Sequence, residues 1–107
     1  MYHFGEIVLL AFPYTDHTTI KKRPALVLLD TEDGDVLVAR VTTQSYPSPY
    51  EIAVSDWEAA GLLAPSFVKV NKLATLKASL IEKKLGKLSE ADLAKVAAIS
   101  TVLLVRI

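Results

Sequence analysis

The feature that most constrains this chain is a cluster of positive charge running straight into an apolar strand, Lys21-Lys22-Arg23-Pro24-Ala25-Leu26-Val27-Leu28-Leu29. Proline fixes its own φ and pushes the residue before it towards extended backbone, so Arg23 is expected at the first position of a strand. A missing backbone donor costs least there. Arg23 then lies on the rim of a core, and its planar fork of donors suits a phosphate. The same residues also read as an ordinary solvated strand end.

Around this stretch the chain is a series of short apolar runs separated by turn formers. Glu6 to Phe12 reads as a first strand buried on both faces, ended by Pro13. Tyr14 to Lys22 is a polar loop without glycine. The second strand, Pro24 to Asp30, is followed by Asp33-Gly34, which marks a tight hairpin turn. In the third strand, Val36 to Thr43, alternation places Arg40 and Thr42 on the face of Val36 and Val38. If the two strands pair as a hairpin, Arg23 and Thr42 meet at one end of the sheet.

Gln44 to Pro49 is a loop, and Tyr50 to Val54 resumes an alternating strand. Ser55 or Asp56 is expected to cap a short inserted helix through Ala60, stopped by Gly61, with Trp57 packed. Two more strands follow, Phe67 to Leu73 and Thr75 to Ile81. Ser89 with Asp92 three positions on resembles a capping box, with Asp in place of Glu. The terminal helix it opens runs from Glu90 to about Leu104, with Leu93, Val96, Ala97, Ser100 and Leu104 on one face. Ile99 to Val105 is apolar almost all round, and a second copy of the chain would cover it. The expected fold is a small, mainly β α+β domain spanning 1–107: an antiparallel barrel-like sheet with a short inserted helix and a C-terminal helix.

Bulk properties narrow the function. No apolar run reaches the roughly 18 residues of a membrane span. Met1 to Glu6 lacks the basic start of a secretory signal and there is no cysteine, so a cytoplasmic protein without disulfides or thiolate metal sites is expected. Net charge is zero, but residues 1–60 carry four Lys/Arg against nine Asp/Glu, whereas residues 61–107 carry eight against three. The basic half gathers Lys69, Lys72, Lys77, Lys83, Lys84 and Lys87, which reads as a phosphate-facing surface or as lysines protecting a sheet edge.

His3 and His17 are not at metal-ligand spacing, and there is neither a glycine-rich phosphate loop nor a nucleophile elbow. What remains is an Arg and a Thr at one sheet end beside lysines. RNA carries its own nucleophile, the ribose 2′-hydroxyl. Cleaving it without a metal needs in-line positioning, proton transfer and donors for the charge that builds on phosphorus.

Gly5-Glu6-Ile7-Val8, Phe12-Pro13-Tyr14-Thr15-Asp16, Lys22-Arg23-Pro24-Ala25-Leu26-Val27-Leu28, Val41-Thr42-Thr43-Gln44 and Leu85-Gly86-Lys87-Leu88 stand in that order along the chain. The ordered set resembles the MazF/PemK toxins of bacterial type II toxin-antitoxin systems. The resemblance implies an SH3-like small barrel of the kind shared with CcdB, a homodimer, and a metal-independent endoribonuclease of single-stranded RNA that needs no cofactor. It also implies a cognate antitoxin whose acidic segment covers the RNA groove. Arg23 and Thr42 fall on the family's catalytic positions. Lys21, Lys22, His17, Thr43, Gln44, Lys69 and Lys72 are the residues expected to contact RNA. Where some relatives carry a Glu in the loop before the Arg, this chain offers Asp16 and His17, and imidazole suits proton transfer near neutral pH. Gln44 and Tyr46 read either as residues that contact or stack on a base or as loop spacers. The competing readings are a non-catalytic SH3-like module that binds nucleic acid or protein, and a CcdB-like topoisomerase poison.

Overall fold

The computed structural model describes residues 1–13 and 20–107. The strands are β1 (Glu6–Pro13), β2 (Ile20–Asp30), β3 (Asp35–Thr42), β4 (Glu51–Ala53), β5 (Phe67–Lys77) and β6 (Ile81–Lys87). All pair antiparallel in one sheet of order β4-β5-β3-β2-β1-β6, and α1 (Glu90–Arg106) follows. This is the expected α+β class, but the sheet is open. Its edges, β4 and β6, do not pair. The chain after β4 bridges them by close backbone packing instead: a Cβ on Gly61 would stand 2.1 Å from the Leu85 carbonyl oxygen, and one on Gly86 would stand 2.5 Å from that of Ala60. Only glycine allows that approach, and Gly61 also takes φ +82.

Strand alternation divides the core in two. Ile7, Leu26, Ala39, Val41, Val68 and Val70 form one cluster with the Trp57 region and α1. Val8, Leu10, Ala25, Val27, Val36 and Val38 form the other, closed by Ile81. β1 is thus buried on both faces, as its unbroken apolar run suggests. Register shifts in the β1–β6, β2–β3 and β3–β5 ladders bend the strands.

The sequence reading needs correcting at four places. β2 begins at Ile20, so Lys21, Lys22 and Arg23 are strand residues paired with β1, and Arg23 stands across from Leu10. The inserted helix expected up to Ala60 is a hydrogen-bonded turn. Ala60 N–H reaches the Asp56 carbonyl at 3.1 Å, Gly61 N–H that of Glu58 at 3.0 Å, and Leu62 N–H that of Trp57 at 2.9 Å. Gly61 turns left-handed before a second turn forms, and one turn does not repay helix nucleation. β5 runs unbroken to Lys77, and a 3-10 turn at Ala78–Leu80 leads into β6, which the sequence reading missed. On α1 the face is Leu93, Val96, Ile99 and Leu103, whereas Leu104 is 73% exposed. Burying a valine such as Val96 contributes roughly 1.5–3 kcal/mol.

Ser89 caps α1 as expected, its Oγ accepting from Asp92 N–H at 3.2 Å. The second half of the capping box is redirected. The fully buried Asp92 carboxylate accepts from Ser55 N–H at 2.9 Å and Ser55 Oγ at 2.7 Å, fastening the segment after β4 to the helix start. Among the described residues no helix is long and apolar enough to cross a membrane.

Candidate nucleic-acid interface

The β2–β3 ladder ends where Ala25 pairs with Arg40; Arg23 lies two residues beyond that pair on β2 and Thr42 two residues beyond it on β3. The strand face that buries Ala25, Val27, Val36 and Val38 continues past the core as Lys21, Arg23, Arg40 and Thr42. Here it forms a cleft of about 570 Å³, with Leu10, Ala25, Val38 and Leu76 among its floor and Lys21, Arg23, Arg40 and Lys72 around it. A second cleft of about 390 Å³ is lined by Thr42, Tyr46, Ser48 and Asn71. Arg40 and Lys72 line both, so the two form one trough.

The β3–β5 ladder explains how Lys72 reaches it. Between Ala39 and Arg40 β3 advances one residue, while β5 advances four, from Leu73 to Lys69. A regular strand would put Lys69 and Lys72 on opposite faces. The bulge turns both towards the trough.

The described lining of the trough is electropositive, and among the described residues no Asp or Glu lines it. Among the described residues Arg23, Arg40 and Lys72 have no ion-pair partner. Thr42 Oγ1 accepts from Gln44 N–H at 3.2 Å, which leaves its hydroxyl hydrogen to donate outwards.

The remaining sequence candidates divide. Lys21 lines the first cleft. Lys22 alternates to the other side of β2 and pairs with Glu82 at 2.8 Å. Lys69 lines the second cleft, yet its ammonium is nearly buried, bonded to the Glu51 carboxylate and to the Tyr46 carbonyl at 3.2 Å. It anchors the loop rather than offering a free charge. Thr43 and Gln44 are exposed beside the second cleft, and the Gln44 amide accepts from the Tyr46 hydroxyl at 3.2 Å. His17 lies outside the described residues. Glu51 also accepts from Ser45 Oγ at 2.6 Å and Tyr46 N–H at 3.1 Å, and the Lys69 hydrogen bond above all holds its carboxyl below the usual value. Arg40 and Asn71 were not among the sequence candidates. Alternation with Thr42 marked Arg40, but nothing in the sequence signals the bulge that presents Asn71.

Among the described residues no three His, Asp or Glu side chains converge as metal ligands. The arrangement is that of a small α+β protein whose central strands carry, at one end, cations and a hydroxyl suited to a phosphate chain. Residues 3–103 match the family of PemK-like, MazF-like toxins of type II toxin-antitoxin systems. The chain belongs to that family, and it is a toxin of that kind.

Solved structures agree in fold. A MazE–MazF complex from Deinococcus radiodurans is 21% identical with a TM-score of 0.78, the match covering 96% of this chain and 95% of that one. The Mycobacterium tuberculosis toxin MazF-mt6 is 22% identical with a TM-score of 0.75, covering 92% and 95%. A mycobacterial endoribonuclease bound to its cognate antitoxin is 19% identical with a TM-score of 0.77, covering 97% and 95%. A search of curated proteins finds no match.

Proposed function

We propose that this toxin is an endoribonuclease that cuts single-stranded RNA through the RNA's own 2′-hydroxyl. The observation that carries the reading is the convergence of Lys21, Arg23, Arg40 and Lys72 on one trough beside the Thr42 hydroxyl. In the reaction O2′ attacks phosphorus in line, the O2′–P bond forms and the P–O5′ bond breaks. The O2′ proton passes to a base, and O5′ leaves with a proton. The products are a 2′,3′-cyclic phosphate and a 5′-hydroxyl.

Arg23 and Thr42 are the catalytic residues of this reading. The Arg23 guanidinium donates to the non-bridging oxygens as their charge grows, and the Thr42 hydroxyl donates to one of them. Arg40, Lys72 and Lys21 hold the flanking phosphates. Among the described residues no imidazole or carboxylate lines the trough. In the sequence, the loop before Arg23 offers Asp16 and His17 as acceptors of the O2′ proton, and imidazole suits proton transfer near neutral pH. Every charge in this scheme comes from side chains of the protein, and cleavage is expected to persist in EDTA.

A cognate antitoxin is the partner of this reading, through an acidic segment complementary to the trough, and two of the similar structures are antitoxin complexes. A homodimer is supported by the uncovered end of α1, where Leu104 and Val105 are 73% and 82% exposed.

The test is an RNA carrying a single 2′-deoxynucleotide at a mapped cut. Cleavage should vanish there and persist at unmodified sites. Cleavage at the deoxy position would refute attack by O2′. A binding module or topoisomerase poison would leave all the RNA intact.

A further inference from the structure

Tyr46 combines two properties that rarely occur together in a loop. Its side chain is exposed, the residue as a whole by 67%, yet every end of it is fastened. Its N–H bonds Glu51 and its carbonyl accepts from Lys69, its hydroxyl donates to Gln44, and the Lys69 ammonium sits 5.0 Å from the ring centroid. An aromatic ring fixed before binding loses little entropy when a flat partner lies on it. Next to it Asn71 is exposed in the β5 bulge, and among the described residues its side-chain amide has no hydrogen-bond partner. An amide presents a donor and an acceptor side by side, the pattern that reads a base edge. Both residues line the second cleft, together with Thr42.

We infer that the second cleft is a single-nucleotide subsite: one unpaired base stacks on Tyr46 and has its edge read by Asn71, beside the phosphate held at Thr42. The inference rests on the ribonuclease reading and adds to it where sequence preference arises. Arg40 and Lys72 bind phosphate whatever the sequence, so they do not specify the base. Stacking selects an unpaired base, and Asn71 selects which one.

The experiment is cleavage of a random-sequence RNA pool by wild type, Asn71→Ala, Tyr46→Phe and Tyr46→Leu, with all ends sequenced. Asn71→Ala should lose the preference at one position next to the cut and keep it elsewhere. Tyr46→Phe, which keeps the ring, should cleave with nearly wild-type KM, whereas Tyr46→Leu should raise KM about tenfold. An unchanged sequence preference in Asn71→Ala, or wild-type KM in a folded Tyr46→Leu, would overturn the subsite.

If wild type cuts nothing, the ribonuclease reading falls and the subsite is tested alone, by anisotropy of a labelled 2′-O-methyl RNA. Tyr46→Leu then has to bind about tenfold more weakly than both wild type and Tyr46→Phe. Equal binding by all three would overturn the subsite.

Discussion

The Lys69 ammonium rests against the Glu51 carboxylate, and the two side chains are only 10% and 7% exposed. Lysine in an alternating basic strand reads as a solvent-facing charge, but the β5 bulge carries this one under the 43–50 loop. Removing one partner strands the other's charge in a nearly closed site, whereas removing both does not. Lys69→Met and Glu51→Gln should each lower the thermal midpoint, and the double variant should recover part of the loss. A double-mutant cycle by thermal denaturation measures this; strictly additive losses would contradict the coupling.

Acid should weaken the fold through two glutamates. Glu51 is held below its ordinary value of 4.5 by the Lys69 hydrogen bond first and by Ser45 next. In Glu6 burial acts to raise the value, but the His3 backbone N–H and Lys84 outweigh it and the net shift is also downwards. Both groups therefore bind protons more weakly folded than unfolded. Their stabilisation is fully present above the unfolded value and is lost as pH falls through the lower folded value. Thermal midpoints measured from about pH 6 to about pH 3 should decline, and less steeply in Glu51→Gln.

Ser55 and Asp92 join the segment after β4 to the start of α1. Hydrogen bonds to a charged group contribute about 1.5–3 kcal/mol, so Ser55→Ala should cost about that much in urea unfolding. Asp92→Ala, which also leaves Ser55 N–H unpartnered, should cost more.

Gly61→Ala combines a left-handed backbone with a Cβ 2.1 Å from the Leu85 carbonyl oxygen. It should destabilise by more than about 2 kcal/mol. A neutral effect on the urea midpoint would show that the contact between the 59–61 turn and β6 is dispensable.

Four cations along the trough set a salt dependence. Releasing counterions from single-stranded RNA at Arg23, Arg40 and Lys72 should give a slope of log affinity against log salt of about −2 or steeper, and Arg40→Ala should reduce its magnitude by about 0.7. The slope is read from anisotropy titrations of a 2′-O-methyl RNA at several salt concentrations.

The sequence carried the parts of this protein that follow from local rules. The Asp33-Gly34 turn, the Ser89 cap and strand alternation were legible, and alternation puts Arg40 on the face of Thr42. The strand start read at Pro24 was not, because β2 begins at Ile20. The illegible parts are non-local. The β5 bulge has no residue signature, yet it decides that Lys69 is an anchor and that Asn71 faces the cleft. The carboxylate of Asp92 is claimed by Ser55, far away in sequence. β6 escaped notice because Ala78–Leu80 turns without glycine or proline. Past Ser100 α1 is apolar on most sides, so its period no longer tells which residues pack.

The central claim is tested most directly by incubating purified protein, free of antitoxin, with a long single-stranded RNA in EDTA and mapping the ends beside Arg23→Ala. The account predicts discrete cuts that leave cyclic phosphates. Loss of one such donor should slow them about a hundred- to a thousandfold in Arg23→Ala, with the thermal midpoint unchanged. Intact RNA with wild type, or undiminished cutting by Arg23→Ala, would contradict it.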